Sequence, residues 1–205
     1  MIFDLIYLLL LLTGVAILIE NRLGRIIFLI SLQGLLLTGP VFQVHNYNEY
    51  HAWSLVGLIL LFKTFLTPYT LYNSLKRIKL FEQTNPRFGY LITIFLFLLG
   101  LFAALRMTSD IHTLPVKIDR IGLVYVILLI YLGILTFIAN RHWLVLIVGF
   151  IMFENGVFLL TLIMHRGLPF GIEIISFVDA LLVIVAAVAL QARANTYRQI
   201  DKGQK

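Results

Sequence analysis

The chain has 205 residues, of which 60% are hydrophobic and 13% charged, and its mean hydropathy is +0.97. This composition excludes an ordinary soluble domain and predicts an all-α, polytopic membrane protein. The net charge of +6 does not indicate nucleic-acid binding, because the basic residues lie at the predicted helix ends without interleaved aromatics. The absence of cysteine excludes disulfides, thiolate chemistry and cysteine-ligated iron–sulfur clusters in this chain.

Seven apolar segments are long enough to cross the hydrocarbon core, which needs about 20 residues. The first lacks a basic leader and a cleavage site, so we expect a retained helix rather than a signal peptide. Gly39 and Pro40 predict a kink late in the second segment, and Pro68 in the third frees the carbonyl of Thr64. The predicted spans are 2–19, 25–44, 54–72, 88–105, 121–138, 143–164 and 170–190, with loops at 45–51, 76–87 and 106–120.

The distribution of lysine and arginine predicts the orientation. The loops after spans one, three and five, with the tail, hold eleven basic residues, and the opposite loops hold four. Cytoplasmic loops carry the excess, so the N-terminus is predicted outside and the C-terminus in the cytoplasm. The two sets are Arg22, Arg25, Lys76, Arg77, Lys79, Arg87, Arg141, Arg193, Arg198, Lys202 and Lys205, against Arg106, Lys117, Arg120 and Arg166.

The two ends of the chain resemble each other. Residues 14–22 read GVAILIENR and residues 133–141 read GILTFIANR. With a gap of three residues, Lys63 in the third span then matches Asp179 in the seventh. A degenerate parallel repeat of spans one to three and a chance match between apolar sequences both explain this likeness. The predicted units are N-terminal helices (1–105), a connecting loop (106–120), a three-helix module (121–191) and a tail (192–205).

Three charged residues fall near the middle of predicted spans: Glu154, Asp179 and Lys63. A charge at mid-depth costs about 2.5–3.5 kcal/mol on insertion scales, so such residues usually serve protons, ions or partner charges. Apolar surroundings favour the neutral form of both acids and lysines, so the three residues are predicted to form a proton relay across the spans. The alternatives are a static ion pair that fixes helix packing and a pair with another subunit.

Four further polar residues are secondary candidates for the relay. Glu173 lies near the start of its span, where an acid also suits the helix dipole. His142 and His165 bracket the sixth span and can either exchange protons or be solvated. Asn155 follows Glu154 and can hydrogen-bond across helices. Gly149 and Gly156, seven residues apart, predict close helix packing.

The sequence predicts no catalytic centre, cofactor site or metal site in this chain. It contains no glycine-rich phosphate loop and no evident pairing of a nucleophile with a base, and its histidines are scattered. We therefore expect a non-catalytic membrane subunit.

The stretch 140–156, NRHWLVLIVGFIMFENG, resembles the second helix of the K subunit of bacterial complex I. The sequence FVDA at 177–180 is similar to the third helix of that subunit, where a buried glutamate precedes an alanine. Four additional helices precede this module, and with them the chain most resembles hydrogenase-4 component E. The resemblance implies that Asp179 takes the place of the third-helix glutamate, which in the family acts in proton translocation. The second-helix glutamate aligns with Ile151, so Glu154, one turn later, is expected to take over its role.

This resemblance implies a membrane-arm subunit of a complex-I-related hydrogenase or formate hydrogenlyase-type complex in a bacterial or archaeal cytoplasmic membrane. The implied partners are antiporter-like membrane subunits and hydrogenase-type large and small subunits, which carry the nickel–iron and iron–sulfur centres. A multi-subunit cation/proton antiporter is an alternative, because its small C subunit is also K-like. A third alternative is a structural scaffold of the membrane arm that conducts no ions.

Overall fold

The computed structural model describes residues 2–44, 50–78, 84, 86–109 and 120–164, and within these ranges the chain is all-helical. One isolated antiparallel bridge joins Pro86 to Asn140. The elements are α1 (Ile2–Ile19), α2 (Leu23–Leu36), α3 (Thr38–Val44), α4 (Tyr50–Ile59), a π-helical segment (Leu60–Leu66), α5 (Thr67–Ile78), α6 (Tyr90–Met107), α7 (Arg120–Ala139) and α8 (Trp143–Met164).

Five helices of the described residues are long and apolar enough to cross a membrane, and the shorter apolar helix Phe3–Ile19 precedes them. The all-α class is therefore confirmed for these residues. The predicted seventh span, 170–190, lies outside the described residues, so the count of seven and the complex-I-K-like module stay predictions. The five are Leu23–Phe42, Ala52–Lys76, Tyr90–Met107, Ile121–Ala139 and Trp143–Ile163.

Three predicted loops extend into helices, and the loop 106–120 does so at both ends, because α6 continues to Met107 and α7 begins at Arg120. Helix α4 begins at Tyr50, inside the segment 45–51 predicted as a polar hairpin. Helix α5 continues to Ile78, inside the predicted basic loop 76–87. The predicted spans end where polarity rises, but helical hydrogen bonding continues into the flanking polar residues. At the end of α5 this continuation is favoured by Lys76 and Arg77, because lysine and arginine are good helix formers.

The second span is interrupted at Leu37, between α2 and α3. Pro40 has no N–H for the carbonyl of Leu36, and its ring clashes with that carbonyl, which breaks a regular helix. The interruption is confined to Leu37, whose backbone stays in the right-handed helical region and whose N–H still donates to the carbonyl of Gln33. The kink near Gly39 and Pro40 stays a prediction.

The third span contains the π-helical segment, in which the N–H of Thr67 donates to the carbonyl of Phe62 five residues earlier. Pro68 cannot donate to the carbonyl of Thr64, which instead accepts a hydrogen bond from the Ser31 hydroxyl at 2.6 Å. Gly34 permits this contact, because a Cβ there would lie 2.8 Å from the carbonyl oxygen of Lys63. The backbone around Lys63 therefore lies directly against α2.

Helices α7 and α8 approach each other closely at glycine residues, as the spacing of Gly149 and Gly156 predicts. A Cβ at Gly156 would lie 2.6 Å from the Ile130 side chain, and one at Gly149 would lie 2.7 Å from the backbone nitrogen of Phe137. Gly133 on the facing helix makes the closest approach, 2.4 Å from the nitrogen of Phe153. Close backbone approach of this kind is the usual role of small residues between membrane helices.

We predict that Gly133→Ala destabilises the protein, because its methyl group meets backbone that cannot shift independently. The expected loss is about 1–3 kcal/mol, the usual cost of overpacking. The measurement is thermal unfolding in mild detergent.

The matched control is Gly57→Ala in α4, where a Cβ meets nothing within 4 Å. Alanine is the better helix former, so this variant should be unchanged or more stable by up to about 1 kcal/mol. Equal stability of the two variants would contradict the packing described for α7 and α8.

Candidate functional site

Buried polar side chains form a layer between two apolar clusters. One cluster includes Tyr7, Leu37, Ile59 and Phe158, and the other includes Ile17, Ile30, Leu71 and Met152. Each of α1, α2, the third span and α8 contributes residues to both clusters, and its buried polar residue lies between these two sets along the helix. These residues, all buried, are Thr13, Gln33, Lys63, Glu154 and Asn155.

The core of this layer is a chain of hydrogen bonds that crosses four helices. The Lys63 ammonium donates to Asn155 Oδ1 at 2.9 Å, and Asn155 Nδ2 donates to Gln33 Oε1 at 3.0 Å. Gln33 Nε2 lies 3.5 Å from both Thr13 Oγ1 and the carbonyl oxygen of Leu10. The Thr13 hydroxyl donates to the same carbonyl at 2.7 Å. Lys63, Gln33 and Asn155 are 6%, 0% and 1% exposed, so these bonds replace hydration.

The direction of this chain is the one that suits a protonated lysine as its first member. A protonated lysine donates hydrogen bonds and cannot accept one. Asn155 therefore turns its oxygen to Lys63 and its amide nitrogen to Gln33, and Gln33 repeats the arrangement toward Thr13 and Leu10. Every amide dipole presents its negative end to the ammonium side, so the chain stabilises a positive charge at Lys63.

One further contact of Lys63 is to an aromatic ring. Its Nζ lies 5.3 Å from the centroid of the Phe158 ring, within the range of a cation–π interaction. Glu154 precedes Asn155 on α8 and is also buried. The structure therefore places Lys63, Glu154 and Asn155 in one buried layer, and Asn155 is a direct partner of the lysine.

Asp179, Glu173 and His165 lie outside the described residues, and their roles stay predictions. His142 has a visible local role: its Nδ1 accepts the N–H of Leu144 at 3.3 Å, and its carbonyl accepts from Val145 and Leu146. The ring stacks on Trp143 with centroids 5.9 Å apart. Burial lowers the pKa of His142 below its ordinary value of 6.5, which keeps Nδ1 free to accept at neutral pH. His142 thus caps the start of α8.

Sequence reasoning missed Gln33 and Thr13. Gln33 is the only strongly polar side chain inside the apolar stretch Leu23–Phe42, apart from Arg25 at its start, and that signal was available. Thr13 carried no comparable signal, because a threonine can satisfy itself within its own helix.

Within the described residues, no group of three or more His, Cys, Asp or Glu side chains could hold a metal ion. These residues define an all-helical protein with candidate membrane spans and a buried polar layer. No family model, curated protein or solved structure matches the chain.

We predict that Asn155→Leu and Gln33→Leu each destabilise the protein by about 1–3 kcal/mol, because each leaves a buried hydrogen-bonding group of its neighbour unsatisfied. The double variant should cost less than the sum, with a coupling of about 0.5–3 kcal/mol. Chemical unfolding in detergent provides the four free energies of this cycle.

The control cycle combines Asn155→Leu with Thr70→Val, a residue bonded to its own helix at the carbonyl of Thr67. This second pair should be additive. An additive Gln33–Asn155 pair would show that the two amides do not interact.

We also predict a pH-dependent stability that depends on His142. Its pKa is lower in the folded protein than in the unfolded chain, so below about pH 6.5 the unfolded state binds the additional proton. The contribution of His142 is therefore present above this pH and is lost as the pH falls through its folded pKa. His142→Asn retains a good capping residue without titrating, and His142→Ala should cost about 1 kcal/mol at pH 8 and progressively less as the pH falls towards 5. Melting temperatures measured from pH 8 to pH 5 test this, and an unchanged slope in His142→Asn would refute it.

Proposed function

We propose that this chain is a membrane-arm subunit of a complex-I-related hydrogenase or formate hydrogenlyase-type complex, in which Lys63 and Glu154 take part in proton translocation. The supporting observation is the buried Lys63–Asn155–Gln33 chain between two apolar clusters. The resemblance of residues 140–156 to the K subunit of complex I supports the choice of complex. Redox chemistry and its nickel–iron and iron–sulfur centres belong to the partner subunits.

The chemistry of the hydrogen-bond chain limits the route that a proton takes. Protonated lysine can release a proton only to a group that binds it well, and the neutral amides of Asn155 and Gln33 are poor bases. The amide chain therefore holds the charge of Lys63 but does not carry the proton onward. In the proposed relay, the proton leaves Lys63 for a carboxylate, with Glu154 and Asp179 as its acceptors, and the carboxylate becomes neutral as the lysine does.

The same contacts also favour a second candidate, a structural scaffold. Lys63, Asn155, Gln33 and Thr13 link four helices, and such a linkage holds the helices together even if no proton moves. The two candidates predict different results for a variant that removes the charge of a buried residue but keeps its hydrogen bonds. Such a variant should lose proton transport if the residue is part of a relay, and should keep it if the residue is part of a scaffold.

The first experiment is affinity purification of the tagged chain in mild detergent, followed by mass spectrometry of what remains bound. We expect antiporter-like subunits together with hydrogenase-type large and small subunits. Antiporter-like subunits without redox partners would instead support the cation/proton antiporter. Recovery of the chain alone would contradict both.

The second experiment measures redox turnover and proton uptake of the intact complex in inside-out vesicles. Lys63→Gln and Glu154→Gln should assemble and retain turnover but lose at least about tenfold in protons moved per turnover, because a neutral amide cannot exchange protons at these positions. Lys76→Gln, at the exposed end of the same span, is the matched control and should behave as the wild type. Normal coupling in both buried variants would favour the scaffold.

A further inference from the structure

Two buried oxygens, one on α7 and one on the residue that follows it, have no hydrogen-bond partner among the described residues: Thr136 Oγ1 and Asn140 Oδ1. The two residues are 0% and 5% exposed. They are four positions apart, with Thr136 in the last turn of α7 and Asn140 directly after its end. A buried polar oxygen without a partner has lost its hydration and gained no hydrogen bond in exchange, so the two oxygens need a donor.

Thr136, like Thr64 in the third span, differs from several other threonines of the described helices in having a buried hydroxyl without a hydrogen-bond partner among the described residues. A threonine in a helix can satisfy itself by donating to the carbonyl four residues earlier. Thr93, Thr108 and Thr161 all do so, at 3.2, 2.9 and 2.9 Å. The hydroxyl of Thr136 does not make this bond, and its hydrogen-bonding capacity remains available to a small molecule.

Asn140 forms a buried wall of a cavity of about 100 Å³ at the end of α7, lined by both polar and apolar residues. The other walls come from the end of α1 and the turn after it, from Thr84, and from residues between 86 and 93. The polar residues that line the cavity are Glu20, Asn21, Thr84, Tyr90, Thr93 and Asn140. Its volume is several times what one water molecule needs.

The other polar groups at the mouth of the cavity are occupied. Asn21 Nδ2 donates to the Tyr90 hydroxyl, and Asn21 Oδ1 accepts from Thr84 at 3.2 Å. The Glu20 carboxylate accepts the N–H groups of Asn21 and Arg22 and pairs with Arg25 at 3.3 Å. The backbone N–H of Arg22 is the main reason that the pKa of Glu20 lies below its usual range. Since this carboxylate is already neutralised by Arg25, the cavity favours a neutral donor over a metal cation.

We propose that this cavity binds water and that water continues along α7 from Asn140 to Thr136. Water supplies the donor that Asn140 Oδ1 needs and can both donate to and accept from the Thr136 hydroxyl. One turn beyond Thr136 lies Leu132, which packs with Met152 against Gly14 near the polar layer. The proposed hydration of this end of α7 does not depend on the proposed function of the protein. Only a role of this water as a proton entry to the polar layer rests on the proposed function.

The natural sequence contains no cysteine, so single-cysteine variants test this inference without a background. The probe is silver ion, a small water-borne cation that reacts with thiolate, applied to inside-out vesicles holding the complete protein assembly. Unreacted thiols are then counted after denaturation by a gel shift with maleimide-linked polyethylene glycol. Thr136→Cys should react at least about tenfold faster than Leu135→Cys, because thiolate forms where water reaches the sulfur. Leu135 is its buried apolar neighbour on the same helix.

Two additional variants strengthen the test. Asn140→Cys places the thiol in the cavity wall and should react faster still, which tests the site even if Thr136→Cys does not fold. Adding Asn140→Leu to Thr136→Cys should slow the reaction to the rate of Leu135→Cys, because an apolar side chain replaces the water-binding wall.

Rates at Thr136→Cys and Asn140→Cys no higher than at Leu135→Cys would overturn the proposal. Reaction only from the opposite face of the membrane would also overturn it, because the route would then not pass through this cavity. Both outcomes leave the proposed coupling of Lys63 and Glu154 untouched, since the assay does not measure proton transport.

Discussion

A buried ammonium group can only donate hydrogen bonds, and the described structure is arranged around this constraint at Lys63. The acceptor is Asn155 on α8, which must then donate to Gln33 on α2. Gln33 in turn faces Thr13 and the Leu10 carbonyl on α1. Four helices are thereby fixed at one depth by the donor character of a single side chain.

The backbone accommodates this arrangement at two positions. Pro68 leaves the Thr64 carbonyl without its usual partner, and Ser31 on α2 supplies one. Gly34 has no Cβ and allows the lysine's own carbonyl to approach α2 closely. The chemistry of the side chains and the irregular backbone of the third span thus favour the same contact between helices.

The sequence was most informative at residues whose placement in a lipid environment has a high free-energy cost. Lys63, Glu154 and Asn155 were recognised because charge or an adjacent amide interrupts apolar spans, and all three are buried in one layer. Gly149 and Gly156 were also correctly interpreted as packing residues. Their counterpart Gly133 was missed, because the partner of a small residue is fixed by the register between two helices, which periodicity within one helix does not determine.

Irregularities of the helical backbone differed in how far the sequence alone could predict them. An irregularity near Leu37 was predictable from Pro40, whose effect is local. The π-helical segment was not, because its stability depends on Ser31 and Gly34 of another helix. Helix ends at Tyr50 and Ile78 differed from the predicted limits because hydropathy marks the apolar part of a helix and not the extent of its hydrogen bonding.

The polar layer and the end of α7 differ in how they satisfy buried oxygen and nitrogen. In the layer, each amide is paired with a neighbour, so removing one member disturbs the next and the effects are not additive. At the end of α7, Thr136 Oγ1 and Asn140 Oδ1 have no hydrogen-bond partner among the described residues, so solvent is the remaining means of satisfying them. Apolar side chains including Ile17, Leu132 and Met152 lie between the two regions. A protein that moves protons requires such a boundary, since a continuous column of water would let them pass without coupling.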